Sequence, residues 1–360
     1  MYLIVTRTFP PEVGGMQNLM WGLARSLSKI NLIKVFADYK EGHQEFDNSV
    51  SFSIERVKGI KILRKYRKSY LINEYLNKNP KVQCVIADHW KSLELIKTKN
   101  KKICLIHSKE INHIKGSRLN KKILEVLNNV DHVVANSNFT KKLAIDLGID
   151  EQRIIVINPG VDPVTEIPKK DLNKAEEILY GKKQRLITVS RFEKRKNHEK
   201  VIMAIRNLKE IYPDIIYTCI GRGDDENLKK LVIELKLEEQ IVFLRDVPND
   251  LKNALVAKSN VFIMPSIIYK KSVEGFGIAF VEAAQYGIPS IGGKDGGAAD
   301  AIIHDKTGII VDGNNLDDIY SGIVDLLSEN KFIEFGKAAK ENSANFDWDK
   351  IIQKYLKILN

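Results

Sequence analysis

Apolar runs that do not alternate with polar residues recur along this chain, separated by stretches with helical spacing. Tyr2–Thr6, Leu32–Ala37, Val82–Ala87, Lys102–Ile106, His132–Ala135 and Ile154–Ile157 are such runs in the first half. An unalternated run reads as a strand buried on both faces, which belongs in a parallel sheet covered by helices. Helices are expected between them at 16–29, with Leu19, Met20, Leu23 and Leu27 on one face, at 119–127, and at 138–147 behind the N-cap Ser137. The segment Lys40–Asp47 is polar and reads as a loop. The pattern stops at Asn158-Pro159-Gly160-Val161-Asp162-Pro163 and a polar stretch to about Gln184, the expected domain boundary. It then restarts, with strands at 185–189, 215–220, 241–244, 261–264, 290–293 and 307–311 and helices at 199–211, 315–328, 331–342 and 348–358. The expectation is α/β: two doubly wound, Rossmann-like domains facing each other across a cleft, 1–163 and 164–343. A length of 360 residues also suits two domains better than one.

Composition narrows the partners. The three cysteines, Cys84, Cys104 and Cys219, are scattered, with no metal-site or disulfide spacing, so a reducing cytoplasm fits. The first residues, MYLIVTRTFPP, are too short for a secretory leader, and no run approaches the ~20 apolar residues of a membrane span. A net charge of +11 suits a phosphate-bearing partner, but a Lys-, Ile- and Asn-rich composition also yields it. No nucleic-acid-binding module is recognisable, and no nucleic-acid partner is expected.

The densest chemistry lies at KKSVEGFGIAFVEAAQYGIPS, residues 270–290. Glu274 and Glu282 stand eight positions apart, with Gly275-Phe276-Gly277 between them. If a helix starts near Gly277, its first amide groups make an anion site, with one carboxylate before it and one on its second turn. That suits a nucleotide sugar, with phosphates on the helix start and hydroxyls on each glutamate; an ordinary amphipathic helix after a Gly-rich turn reads equally well. Upstream, Ser190-Arg191-Phe192-Glu193-Lys194-Arg195-Lys196 follows a strand end, where Arg191 and Lys196 could clamp a diphosphate or form a solvated loop. Strand ends also deliver His89, His107 and Glu110, and a Gly14-Gly15 turn precedes the first helix. In 56–81, Arg64, Lys65, Arg67 and Lys68 mix with Ile60, Ile62, Leu63, Tyr66, Tyr70 and Leu71. This is either a basic, aromatic-bearing face for an anionic membrane or a solvated helix with an ordinary core face.

Taken in order, FPPEVGG, SRFEKRK, EGFGIAFVEA and GGKDGGAADAI resemble a family 4 retaining glycosyltransferase of the GT-B fold. The wording is most similar to phosphatidylinositol mannoside mannosyltransferases and related bacterial glycosyltransferases. The resemblance is strongest over 185–312 and weak over 40–81. It implies metal-independent transfer of a hexose, with retention, from a GDP- or UDP-sugar to a hydroxyl acceptor, with no further cofactor. Front-side attack is expected, the leaving phosphate helping to deprotonate the acceptor. It implies that Gly15 approaches the donor diphosphate and His107 sits beside the transferred sugar. Arg191 and Lys196 would stabilise the leaving group. Glu274, with the amides of Phe276, Gly277 and Ile278, would hold the sugar and diphosphate. Glu282 would bind the ribose, and the backbone near Val247 the base. The first domain would read the acceptor, and 344–360 would return to it. A membrane-lipid acceptor, with the enzyme peripheral on the inner membrane face, is the leading expectation; a polysaccharide or small soluble acceptor, or a nucleotide-sugar epimerase of the same fold, are alternatives. Two features depart from the family's wording: Ala299-Asp300 replaces a frequent Pro-Glu, and Ile267–Ser272 is an unusual lead into the glutamate loop.

Overall fold

Every strand in both halves of the chain pairs parallel to its neighbours. The structure, a computed structural model, describes residues 1–359. It contains two units, Met1–Asp162 with Phe346–Asn360, and Pro163–Asn345.

The first unit runs β1 (Tyr2–Val5), α1 (Gly15–Ser28), β2 (Ile33–Asp38), α2 (His43–Ser49), β3 (Ser53–Val57), α3 (Lys61–Lys78), β4 (Cys84–Ala87), α4 (Trp90–Leu93), β5 (Lys101–Ile106), α5 (Arg118–Leu127), β6 (His132–Ala135), α6 (Asn138–Leu147) and β7 (Ile154–Val156). The second runs α7 (Lys169–Ile178), β8 (Gln184–Val189), α8 (His198–Leu208), β9 (Ile215–Ile220), α9 (Glu226–Glu234), β10 (Ile241–Leu244), α10 (Asn249–Ala257), β11 (Val261–Met264), α11 (Ile278–Gln285), β12 (Ser290–Gly293), α12 (Ala298–Ala301), β13 (Gly308–Val311), α13 (Leu316–Leu327) and α14 (Lys331–Ser343). The chain ends with α15 (Trp348–Leu359), in the first unit.

The sheets are ordered β3-β2-β1-β4-β5-β6-β7 and β10-β9-β8-β11-β12-β13. Strand order reverses between β1 and β4 and between β8 and β11, and in open α/β sheets ligands bind at the carboxyl ends beside such a reversal. Both faces of each sheet are covered. In β1, Leu3 and Val5 join a core with α3 and α5, while Tyr2 and Ile4 join one with α1 and α15. That two-residue alternation, apolar on both faces, is why the runs in the sequence do not alternate.

The last helix closes the first unit. Trp348, Ile351, Ile352 and Tyr355 are buried against Leu19, Leu23 and Leu27 of α1. The indole lies so near Gly22 and Gly160 that a Cβ there would come within 2.1 and 2.6 Å of it. Both positions need a residue without a side chain.

Three segments differ from the sequence expectation. Lys40–Asp47 is not all loop, because α2 begins at His43. Phe46 anchors it through edge contacts to Trp21 at 5.1 Å and Phe9 at 6.0 Å, and Asp47 holds Arg56. The run starting at 56 is not one amphipathic stretch: Arg56 and Val57 finish β3, an edge strand on β2. The polar boundary stretch contains α7, whose Glu176 grips Arg185 of β8 at 3.0 Å.

Candidate functional site

The reversal between β8 and β11 is where the second unit concentrates charge. After β8 the chain passes through Ser190–Glu193 into one 3₁₀ turn, Lys194–Lys196. Asn197 ends that turn in the left-handed region, at φ 65°. Its buried Nδ2 donates to the carbonyls of Pro265 at 3.0 Å and Gly313 at 2.7 Å. That pin fixes the loop to the strand ends beside it. The tight turn sends two consecutive side chains, Arg195 and Lys196, toward one acceptor, Glu274.

Glu274 lies in the loop after β11, its side chain 12 % exposed. Its Oε2 accepts from Arg195 Nη1 at 2.8 Å and from Lys196 Nζ. Arg195 Nε donates to Glu193 Oε2 at 3.0 Å, and Arg191 Nη1 reaches Glu193 Oε1 at 3.0 Å. Five groups of alternating sign, Arg191–Glu193–Arg195–Glu274–Lys196, therefore form one chain. Burial works to raise the Glu274 carboxyl, but Lys196 and Arg195 beside it hold it down at about 2. Burial pulls the Lys196 ammonium down while Glu274 opposes that pull. Glu274 is therefore a carboxylate at neutral pH.

Three residues on, Gly277 caps α11 at φ 87°, where a Cβ would meet the Phe280 ring at 2.5 Å. Gly277 is thus required on two counts, conformation and space. No side chain caps this helix, so the amides at its start stay available to an anion. Phe276 is buried beneath the loop and Ile278 opens the helix. Glu282, four residues after Ile278, lies about 6 Å further along the axis. It lines a small hollow with Val189, Phe262, Ala279 and Tyr286. Glu274 and Glu282 therefore bracket the helix start as the sequence spacing predicts. Val247 is half-buried in the turn between β10 and α10.

Arg191 and Lys196 take different partners and differ in exposure. The Arg191 side chain is 72 % exposed on Glu193, whereas that of Lys196 is 10 % exposed on Glu274. The sequence reading passed over Arg195, since a run of four charges does not say which cation turns inward.

In the first unit, Gly15 is the first residue of α1, another helix start without a side-chain cap. His107 follows β5, and its Nε2–H donates to the Asp88 carbonyl at 3.1 Å, which leaves Nδ1 as the basic nitrogen. Glu110 Oε1 accepts the His107 backbone N–H at 2.5 Å. His89 Nδ1 caps α4 by accepting from the Lys91 N–H at 3.0 Å. Burial, reinforced by Arg7 and Lys91, pushes the His89 imidazole down to about 3. Asp88 is buried and accepts from Thr6 Oγ1 at 2.8 Å, the Arg7 N–H at 2.7 Å and Ser92 Oγ at 3.0 Å. It ties the ends of β1 and β4 together.

On α3 the basic residues point the other way from the expectation. Lys68 is buried on Asp38 at 2.7 Å, Arg64 pairs with Asp38 at 3.0 Å, and Lys65 with Glu94 at 2.8 Å. Exposed instead are Ile60, Ile62, Leu63, Tyr66 and Tyr70, with Arg67 among them. No described helix is long and apolar enough to cross a membrane. Among the described residues no three His, Cys, Asp or Glu side chains cluster as a metal site would require.

The chain matches the family described as Glycosyl transferases group 1 over residues 169–346 and that described as Glycosyltransferase Family 4 over residues 13–165. Among curated proteins, a GDP-mannose-dependent alpha-(1-6)-phosphatidylinositol monomannoside mannosyltransferase of Mycolicibacterium smegmatis is 26 % identical over 91 % of this chain and 89 % of its own. A D-inositol 3-phosphate glycosyltransferase of Pseudarthrobacter chlorophenolicus is 27 % identical over 62 % of this chain and 54 % of its own. Among solved structures, HepE of Anabaena in complex with UDP superposes with a TM-score of 0.82 at 18 % identity, covering 99 % of both chains. A glycosyltransferase of Rickettsia africae gives 0.80 at 21 % identity, covering 99 % of this chain and 97 % of its own.

Proposed function

This chain belongs to the family 4 glycosyltransferases, enzymes of the GT-B fold, and we propose that it moves a hexose from a nucleoside-diphosphate sugar to a hydroxyl on a membrane lipid, with retention at the anomeric carbon. The observation that carries the donor half is the Glu274 carboxylate, held ionised by two cations directly before the open start of α11. Its Oε2 takes both cations, and its Oε1 accepts sugar hydroxyls. The amides of Phe276, Gly277 and Ile278 take the diphosphate. Glu282 takes the ribose, and the backbone at Val247 the base.

In the reaction, negative charge grows on the departing diphosphate. Lys196 and Arg191 stabilise it, together with the positive end of α11. The leaving phosphate oxygen accepts the proton of the incoming hydroxyl as that hydroxyl attacks from the same face. The first unit's part in the reaction is assigned to His107, whose Nε2–H is committed to the Asp88 carbonyl. These cations supply the electrostatic stabilisation, and the reading requires no metal.

The acceptor half rests on two observations. The mycobacterial relative named above acts, by its name, on a phosphatidylinositol mannoside. In this chain α3 exposes Ile62, Leu63, Tyr66 and Tyr70, with Ile60 exposed just before its start. That is an apolar, aromatic surface fit for the headgroup–acyl boundary, with Arg67 for anionic lipid. It supports peripheral placement on the cytoplasmic membrane face.

The test is transfer of labelled sugar from GDP-mannose and, separately, UDP-glucose in the presence of vesicles of mixed bacterial lipids. Label in the organic phase is expected. Label only in water-soluble oligosaccharide would favour a soluble or polysaccharide acceptor, and an epimerised sugar without transfer would favour an epimerase.

A further inference from the structure

We infer that Arg195 is a positioning residue for the donor sugar: it keeps the Glu274 carboxylate in place when Lys196 turns to the donor diphosphate. This rests on the donor reading above, under which Lys196 has two competing partners. Lys196 is asked to stabilise the leaving diphosphate, yet in this structure its Nζ is on Glu274 Oε2, with Met264 Sδ at 3.2 Å as its other neighbour. A cation shared with a diphosphate no longer neutralises the carboxylate fully. Glu274 is buried, and burial alone drives a carboxyl toward its protonated form. A protonated Glu274 would lose much of its strength as an acceptor for sugar hydroxyls.

Arg195 resolves the conflict by geometry. Its Nη1 sits 2.8 Å from the same oxygen, and its Nε is committed to Glu193 Oε2 at 3.0 Å. The guanidinium is therefore braced on both sides, with its side chain 12 % exposed. Its carbonyl accepts the Ile267 N–H at 2.9 Å, which ties it to the loop that leads into Glu274. Arg191, in contrast, hangs on Glu193 with 72 % of its side chain exposed and is free to swing. So of three cations in the chain, Arg195 alone is bonded to two carboxylates. The charged groups facing Glu274 are Lys196 and Arg195, both from the loop after β8, with Glu193 behind them. The Gly296-Gly297 loop presents backbone, Gly297 N–H donating to the Glu274 carbonyl at 2.9 Å.

The experiment compares wild type, Arg195→Gln and Arg195→Lys by calorimetric titration with GDP and GDP-mannose, and with UDP and UDP-glucose, between about pH 8 and about pH 5. Binding of the plain nucleoside diphosphate also reports that each variant is folded. In wild type the affinity for the sugar nucleotide should be flat across this range, because Glu274 stays ionised. In Arg195→Gln the nucleoside diphosphate should bind within about twofold of wild type at every pH. Its sugar nucleotide should weaken about tenfold toward the acid end. The direction follows from the carboxyl, whose folded-state value rises once its fixed cation is gone, so that lowering the pH protonates it. Arg195→Lys should restore most of the flat profile. A flat profile in Arg195→Gln overturns the inference and leaves the donor reading intact. An equal loss of both ligands also overturns it, since Arg195 would then be a diphosphate contact. No binding of any of the four ligands to wild type overturns both.

Discussion

The carboxyl edges of the two sheets both carry charged side chains but use them differently. Beside β8 and β11, three cations and two carboxylates bond chiefly to one another, and Glu274 and Lys196 are buried within that chain. Beside β1 and β4, the buried carboxylate Asp88 is spent on joining strand ends, and His89 caps a helix. Arg7 stands exposed, its guanidinium without a partner among the described residues. One edge joins its charges into a single bonded chain, which suits a ligand part that never varies, a diphosphate. The other is tied down structurally and leaves loose groups at its rim, which suits a partner recognised by surface and shape. Preorganised charge stabilises a developing anion without reorganisation at the moment of reaction. The first unit has shorter chains of three bonded charges, Arg64–Asp38–Lys68 and Lys65–Glu94–Lys122, but among its described residues none of five.

Breaking the bonded chain should have the largest effect. Lys196→Ala removes one of the two cations proposed to stabilise the leaving group and leaves Glu274 with Arg195 alone. It should lower kcat by roughly 10²–10³, measured with whichever sugar nucleotide binds. It should also destabilise the second unit by ~3 kcal/mol, as loss of one partner from a buried pair does. Comparable loss from Arg191→Ala in stability would contradict the contrast drawn between a buried and an exposed cation.

Trp348→Ala should cost ~3–5 kcal/mol, read as a lowered denaturant midpoint. The indole fills the gap against Gly22 and Gly160, which a small side chain leaves empty. This tests the first unit's dependence on its returning helix and should leave nucleoside-diphosphate affinity in the folded protein unchanged.

The pH dependence of stability comes next and should differ by residue. His198 is buried between Ser190 and Tyr217, and burial, aided by Lys196, pushes its imidazole down to about 4. His89 lies lower, at about 3. Both are neutral when folded, while their unfolded forms take up protons below about pH 6.5. The folded state therefore loses stability as pH falls from about 6.5 toward about 4, and His89 extends that loss to about 3. His198→Gln should flatten the upper part of this slope in the second unit. Glu274 adds a later loss, as pH falls through its unfolded value of about 4.5 toward its folded value of about 2.

The smallest effect on stability should come from α3. Replacing Tyr66 and Leu63 together by serine should change stability by less than ~0.5 kcal/mol per site, as exposed side chains do. Flotation with anionic vesicles should nonetheless fall sharply. Unchanged flotation would remove the membrane from this account without touching the donor site.

These contrasts also show what could be read from the sequence. The strands were legible wherever both faces are buried, because the chain is then apolar without interruption. β3 was not, since Ser53–Val57 carries Ser53, Glu55 and Arg56 among its five residues, which breaks the apolar run that marks the other strands. α2 hides in a polar stretch because a single residue, Phe46, anchors it. The Glu274–Glu282 spacing gave the helix start directly, as local geometry relates two positions on one helix. Long-range pairing was not legible. Arg64 and Lys68 turn inward to Asp38, and Lys65 to Glu94, which reverses the face expected to be basic. Arg195 was overlooked for the same reason: its partner lies 79 positions away in the chain.

The central claim is that the loop after β8 and the start of α11 form a donor-diphosphate site. The most direct test is thermal stability of wild type and Lys196→Ala against GDP, UDP and their sugars. Ligand at about 100 times its Kd should add ~2.7 kcal/mol to wild type, giving a clear rise in Tm for one base, with the rise largely lost in Lys196→Ala. No rise with any of them, or an equal rise in Lys196→Ala, would contradict the account.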